Sequence, residues 1–439
     1  MVWRGAMEAA ATPSRTLLDM NRYQWTVLLA AWLGWGFDVF DGLLFNYVAP
    51  NCVPTLLGLP LGSAEAARET LRWTGLLTSV LLVGWAIGGV IFGRVADRIG
   101  RTRTLMLTMA LYSLGTSACA LAPNIWVLAL CRVVASLGIG GEWAAGASMV
   151  AEVVPERRRV EAGALLYTSA PIGLFLATFV NFQISGNLFK GSPETSWRYV
   201  FLCGLIPAAV AFVVRLFVKE PERWQQAVKH AKPPRIAELF TPQMRHITLS
   251  GFSMALTALI MWWSCNAFIP VVAGGLARAA GTPELAEVFK RTATNTFNVG
   301  GLLGTLLTIP ASKVLGRKWM FGIYFVASAA SIMAAFGLDV SPETRLYFYF
   351  PIGVFVFGVF GSFTYYLPEL FPTRYRGTGA GFCYNIGRLI AAAGPILVGQ
   401  LAKNLDAAMR ALFWVGVVPL LALLVLPYVI ETKGRVLAD

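Results

Sequence analysis

Two aspartates and two arginines stand in stretches of this chain that are otherwise apolar. Asp38 and Asp41, in GWGFDVFDGLLF, are three residues apart, so on a helix both carboxylates share one face. Arg132 opens the apolar run RVVASLGIGGEW, and Arg388 closes YNIGR. Each charge placed in a nonpolar medium costs about 2.5–3.5 kcal/mol, so the four together approach roughly 10 kcal/mol. Residues that expensive face a cavity or a partner. A carboxylate raised by desolvation and lowered by an arginine is poised near neutrality, which is what taking up and releasing a proton requires. A guanidinium, for its part, grips a carboxylate through two parallel hydrogen bonds.

Asp38 is the first candidate for the titrating group and Asp41 the second, with Arg132 as partner at a similar depth. Asp38 lies roughly 20 Å along its helix, and Arg132 about seven residues into a helix that enters from the other side. A static ion pair joining the two helices is the alternative. Arg388 lies about eleven residues into its own run, close to the middle, with Tyr384 and Asn385 adding donors on the preceding turn. Its alternative partners are helix-end carbonyls or Glu369.

The elements that must hold these residues are membrane helices. Hydrophobic residues make up 56% of the 439, charged residues only 13%, and mean hydropathy is +0.63. A soluble domain carries roughly 25% charged residues. Twelve apolar runs are long enough to cross a hydrocarbon core of about 30 Å: 25–48, 74–94, 104–122, 125–151, 160–186, 198–218, 246–273, 290–312, 319–338, 346–367, 377–402 and 409–429. No alternating barrel pattern competes with them, so the fold is all-α.

The chain also repeats itself. Glu152, Pro155, Arg157 and Arg159 recur as Glu369, Pro372, Arg374 and Arg376, and Gly100-Arg101 recurs as Gly316-Arg317. Both offsets are close to half the length, so the runs group into halves at 25–218 and 246–429, joined by a linker at 219–245 and flanked by tails at 1–24 and 430–439. Two homologous membrane halves imply a carrier of solutes. The formal charge of +13 is topological: 23 of the 36 lysines and arginines fall in tails and loops on one face, which places both termini in the cytoplasm. It gives no reason to expect a nucleic-acid partner. The first 24 residues lack the apolar core of a cleavable signal.

Catalysis is not expected. There is no HExxH and no GxSxG, and both histidines, His230 and His246, lie in or beside the central linker, which leaves no intramembrane metal site. Five of the six cysteines fall within the apolar runs and only Cys52 at an outer end, so no disulfide framework is available.

Several motifs resemble the major facilitator superfamily over essentially the whole length. GRVADRIGRTR, with Gly93, Asp97, Arg98, Gly100, Arg101 and Arg103, is similar to that superfamily's loop between helices two and three. RVVASLGIGGEW resembles the fourth-helix signature of its metabolite:proton symporters and sugar porters. PELFPTRYRGTGAGFCYNIGR, Pro368 to Arg388, is similar to helices ten and eleven of organic-acid carriers, including aromatic-acid and sialic-acid proton symporters, while IETKGR resembles a sugar-porter tail.

The resemblance implies twelve helices in two pseudo-symmetric six-helix bundles and a state-dependent latch at the inner loops. Gly93, Asp97, Arg98, Gly100, Arg101, Arg157, Arg317 and Arg374 would belong to that latch, with Glu142, Glu152 and Glu369 in support. It implies that an aspartate of helix one and the arginine of helix four couple a proton, the only cofactor-like species expected. Solute contacts would come from helices one, four, five, seven, eight, ten and eleven, where the chain offers Tyr167, Asn266, Asn295, Asn298, Tyr365 and Tyr366, with Arg388, Asn385 and Tyr384. The expectation is proton-coupled symport of a small organic anion, a monocarboxylate, aromatic acid or sugar acid, by a monomer in a bacterial inner membrane. A sugar or polyol porter is the nearest alternative, and a nutrient sensor on the same fold a minor one.

Overall fold

The computed structural model describes residues 20–99, 101–155, 158–207, 209–210, 235–372 and 375–434, and among them every regular element is helical. Most of the 1–24 tail, the 219–234 part of the linker and residues 435–439 lie outside this set. So do the side chains of 93–94, 96–98, 101–102, 141–149, 151–152 and 159.

The first half begins with α1 (Arg22–Leu57), α2 (Ala64–Ile99), α3 (Arg101–Ala118) and α4 (Ile125–Val153). α5 (Arg159–Tyr167) and α6 (Ser169–Asn181) stack into one span, and α7 (Pro193–Leu202) follows. The second half comprises α8 (Arg245–Asn266) with α9 (Ile269–Ala279), α10 (Ala286–Leu315), α11 (Arg317–Gly337), a crossing that ends in α12 (Phe360–Leu370), α13 (Arg376–Ala391) with α14 (Ala393–Leu401), and α15 (Leu405–Val415) with α16 (Val417–Leu423). Among the described residues nine helices are long and apolar enough to cross a membrane and Ile125–Gly140 is a shorter apolar one, in the all-helical fold expected. The helices overrun the runs read from sequence: only residues 58–63 separate α1 from α2, because Pro50 and Pro54 sit within α1 and the helix stops only at Gly58, whose φ of 68° suits glycine.

Helix starts are fixed locally. Asn21 caps α1 by accepting from the Gln24 N–H at 2.9 Å, while the Gln24 amide oxygen accepts from the Asn21 N–H at 2.8 Å, a reciprocal cap. The Gln24 side chain also donates to the Val153 carbonyl at 2.9 Å, tying the start of α1 to the end of α4. Asn124 caps α4 through the N–H groups of Trp126 and Val127.

The halves meet along α2 against α13 and α14, and along α10 against α6. Gly75 on α2 and Gly399 on α14 permit backbone-to-backbone approach, since a Cβ on Gly75 would strike the Pro395 carbonyl. Ser79 on α2 donates to the Ala392 carbonyl at 2.6 Å across the same seam. Polar contacts join the halves at both faces: Lys313 Nζ and Glu161 Oε1 are 2.6 Å apart at the face carrying the termini, and Asn181 Nδ2 and Glu287 Oε2 are 2.9 Å apart at the opposite face. The central residues between these two seals are enclosed.

Candidate functional site

Arg388 is buried near the end of α13, and the residues around it come from both halves. Its guanidinium carbon lies 4.3 Å from the Trp85 ring centroid on α2 and 4.6 Å from that of Tyr384, one turn back on its own helix. One nitrogen donates to Asn385 Oδ1 at 3.1 Å. Asn385 in turn rests against Gly89 of α2, where a Cβ would lie 3.3 Å from its amide nitrogen. Sandwiching between two aromatic faces compensates a cation withdrawn from water without consuming its hydrogen-bonding edge.

An aromatic wall extends from this cation. Trp85 meets Trp263 edge-on at 5.7 Å, Trp263 meets Trp262 at 4.6 Å, and Trp262 packs on Phe357 at 5.4 Å and Phe360 at 6.0 Å. Tyr167 stacks on Phe360 at 5.9 Å and meets Trp35 edge-on at 5.4 Å. The indole N–H groups of Trp85 and Trp262 are buried with no acceptor among the described residues, and buried Asn298, a polar neighbour of Tyr47, follows Phe297, which stacks on Phe357 at 5.3 Å. Buried polar atoms are normally satisfied. A buried cluster that joins a cation, indole N–H groups without an acceptor among the described residues and aromatic faces has the chemistry to hold a compact anion with an apolar side.

The two aspartates divide between neighbours. Asp38 is buried within electrostatic reach of Arg388. Asp41 is buried inside the first half, with Thr116 and Arg132 as its polar neighbours and Gly204 against Oδ1. Arg132 donates to the Asp41 carbonyl at 3.3 Å and to the Gly42 carbonyl, and neither Asp41 carboxylate oxygen makes a hydrogen bond of ordinary geometry. Arg132, expected to pair with Asp38 first and Asp41 second, therefore neighbours Asp41, and does so electrostatically and not as a hydrogen-bonded ion pair.

Tyr167, Tyr384, Asn385 and Asn298 thus gather with Arg388 around the central wall. Asn295 is half-buried one turn before Asn298 on α10, and Asn266 is buried at the break between α8 and α9. Tyr365 and Tyr366 fall elsewhere. Tyr365 donates to the Thr308 carbonyl, and Tyr366 to the Ile430 carbonyl at 3.0 Å, beside Ser250, so both hydroxyls belong to the face carrying the termini.

That face holds Arg317 and Glu369, the described members of the latch expected for the second half. Arg317 clasps Glu369 bidentately, Nη2 to Oε1 at 2.8 Å and Nε to Oε2 at 3.1 Å, while Thr432 donates to Oε2 at 2.6 Å. Glu369 is thus taken by Arg317 and not by Arg388. Glu431 accepts from the backbone N–H groups of Arg317 at 2.9 Å, Lys318 at 3.0 Å and Lys433 at 2.8 Å. Burial pushes the Glu431 carboxyl up, but these N–H groups outweigh it and hold the group below the usual carboxylate range. Gly93, Asp97, Arg98, Gly100, Arg101, Glu142, Glu152, Arg157 and Arg374, expected in the equivalent roles, lie outside the described residues or side chains.

Sequence reasoning missed Trp85, Trp35, Phe357 and Phe360, because aromatic residues are ordinary in apolar helices and nothing in their spacing marks them. It also passed over Glu287 and Lys290, whose i, i+3 spacing at the start of α10 was a usable signal.

Comparison with known proteins fits this architecture. The family model for the Major Facilitator Superfamily matches residues 31–282, more than half of the chain. The chain belongs to the major facilitator superfamily. A second model, for sugar and other transporters, matches residues 345–439. A putative metabolite transport protein of Haemophilus influenzae is 28% identical over 95% of this chain and 99% of its own length. A cis,cis-muconate transport protein of Acinetobacter baylyi is 29% identical over 83% of this chain and 89% of its own. Among solved structures, a D-xylose-proton symporter superposes with a TM-score of 0.74 at 20% identity, covering 94% of this chain and all of that one, which establishes a shared fold. As a member of this superfamily the chain is a multi-pass membrane transporter, not an enzyme.

Proposed function

We propose that this transporter is a proton-coupled symporter of a small organic anion with an aromatic or otherwise apolar body, working by alternating access. The observation that carries the reading is Arg388, a buried cation held between Trp85 and Tyr384 from opposite halves, with Asp38 as the carboxylate within its reach. In the empty carrier Asp38 supplies the negative charge that Arg388 requires. A substrate carboxylate competes for the same guanidinium, and a proton taken up by Asp38 removes the competitor. Proton and anion are therefore favoured together. Asp41 and Arg132, packed behind Asp38 in the first half, form the second proton-responsive pair. Tyr167, Asn385, Asn298 and the tryptophan wall contact the body of the substrate.

The name of the muconate relative, a carrier of a small carboxylate, supports this class. The excess of Lys and Arg at the face carrying the termini supports a cytoplasmic position for both ends, in the inner membrane of a bacterium. The chain suffices as a monomer, since both halves of the site come from one polypeptide. A sugar porter is the competing reading, favoured by the sugar-transporter match over residues 345–439. Titrating purified protein with a panel of carboxylates, their methyl esters and neutral sugars separates the two, because Trp85 touches the cation and its fluorescence reports occupancy. Carboxylates should quench, esters should fail, and Arg388→Ala should abolish the response. Quenching by sugars that persists in Arg388→Ala would refute the anion reading.

A further inference from the structure

At the face opposite the termini, the first turns of α10 carry a polar stripe turned toward the first half. Glu287, Lys290, Arg291, Thr294 and Asn298 recur at helical spacing, and each of the first four meets a partner across the seam. Glu287 accepts from Asn181 Nδ2 at 2.9 Å and from Asn51 Nδ2 at 3.3 Å. Lys290, only 2% exposed, is 2.5 Å from Glu287 Oε1 and donates to the Tyr47 carbonyl at 3.2 Å. The Arg291 guanidinium lies 3.9 Å from the Phe182 ring centroid, and Thr294 accepts from Thr178 at 3.1 Å. Arg278 adds a second cation near Glu287.

We propose that Glu287 and Lys290, backed by Arg291, form the clasp that seals the two halves at this face, and that the transporter exposes its central site there by releasing it. The two opposite charges ride on one helix. Opening therefore separates them only from neutral partners of the first half, Asn51, Asn181, the Tyr47 carbonyl and the Phe182 ring, while the ion pair enters water intact. An ion pair that stays whole on one helix seals tightly and still opens at low cost, whereas an ion pair split between the halves would have to be broken each cycle. The stripe ends at Asn298 beside the central wall, so release propagates from the mouth to the site. These are positioning residues for the transport cycle, and their role does not depend on which solute is carried.

The test is electron-spin distance measurement between labels at Leu188 and Leu285, exposed positions beside the seam on opposite halves, in a background lacking the native cysteines. Glu287→Gln leaves Lys290 buried and charged without its counter-ion, and should raise the open-to-closed ratio at this face about tenfold. Asn181→Ala, which removes one neutral donor and leaves the ion pair whole, should raise it about threefold. Glu287→Gln combined with Lys290→Met removes both charges and should fall back to within about threefold of the parent. Distance distributions unchanged in both Glu287→Gln and Asn181→Ala would overturn the proposal, as would a double variant no more closed than Glu287→Gln alone.

Discussion

Two ion pairs at the face carrying the termini make opposite demands on the transporter, and Glu161→Gln and Glu369→Gln distinguish them. Glu161 and Lys313 belong to different halves and stand 2.6 Å apart, with side chains 12% and 47% exposed. The lysine is largely solvated, so the pair is worth only about 0.2–1 kcal/mol, or about a 1.4- to 5-fold bias between conformers. Glu369 and Arg317 belong to one half, are 13% and 9% exposed, and share two hydrogen bonds plus one from Thr432. Removing that carboxylate strands a buried guanidinium, at about 3 kcal/mol. Glu161→Gln should therefore shift spin-label distances between exposed Tyr23 and Trp319, toward separation of the halves, with little change in melting temperature. Glu369→Gln should lower the melting temperature clearly and leave the distance ratio near its parent value. The reasoning fails if Glu161→Gln destabilises more than Glu369→Gln, or if Glu369→Gln alone moves the distances.

Further outcomes follow from the same geometry. Arg388→Lys keeps the charge but loses the planar fork and its stacking on Trp85 and Tyr384, so carboxylate affinity should fall about tenfold or more in a binding titration. Glu431 is held below its ordinary value of 4.5, so its contribution to docking the tail on Arg317 and Lys318 is complete above that value and lost as the pH falls through the lower folded value. Protection of the Arg317 and Lys318 amides, measured against the intrinsic exchange rate at each pH, should fall on acidification through that window in the parent and be insensitive to it in Glu431→Gln. Gly316 has a φ of 88° with the Glu431 carboxylate where a Cβ would sit, so Gly316→Ala should free the tail at every pH and lower the melting temperature by the equivalent of about 1–2 kcal/mol.

The architecture was legible because its determinants are local and repeated. Apolar length announces the crossings, and the Glu-Pro-Arg-Arg spacing shared by the 152 and 369 regions announces two halves. Arg388 and the aspartates were legible for an energetic reason, since a charge in an apolar run demands an explanation. Which charge meets which was not legible: depth along a helix does not give rotation about it, so Arg132 was matched to the aspartates by level, while the fold sends it to the carbonyls of α1 and brings Asp38 toward Arg388. Tyr365 and Tyr366 illustrate the same limit, being polar aromatics on a suitable helix whose hydroxyls meet the Thr308 and Ile430 carbonyls and not the centre. The tryptophan wall required tertiary structure, because Trp85 and Trp263 come from different halves.

The central claim is that one proton and one carboxylate are favoured together through Asp38 and Arg388. Its most direct test is uptake of a labelled carboxylate such as cis,cis-muconate or benzoate into proteoliposomes with and without an inward proton gradient. The parent should accumulate carboxylate only under the gradient, Asp38→Asn should exchange substrate without accumulating it, and Arg388→Ala should do neither. Accumulation by Asp38→Asn equal to the parent's, or gradient-indifferent uptake of neutral sugar that survives Arg388→Ala, would contradict the account.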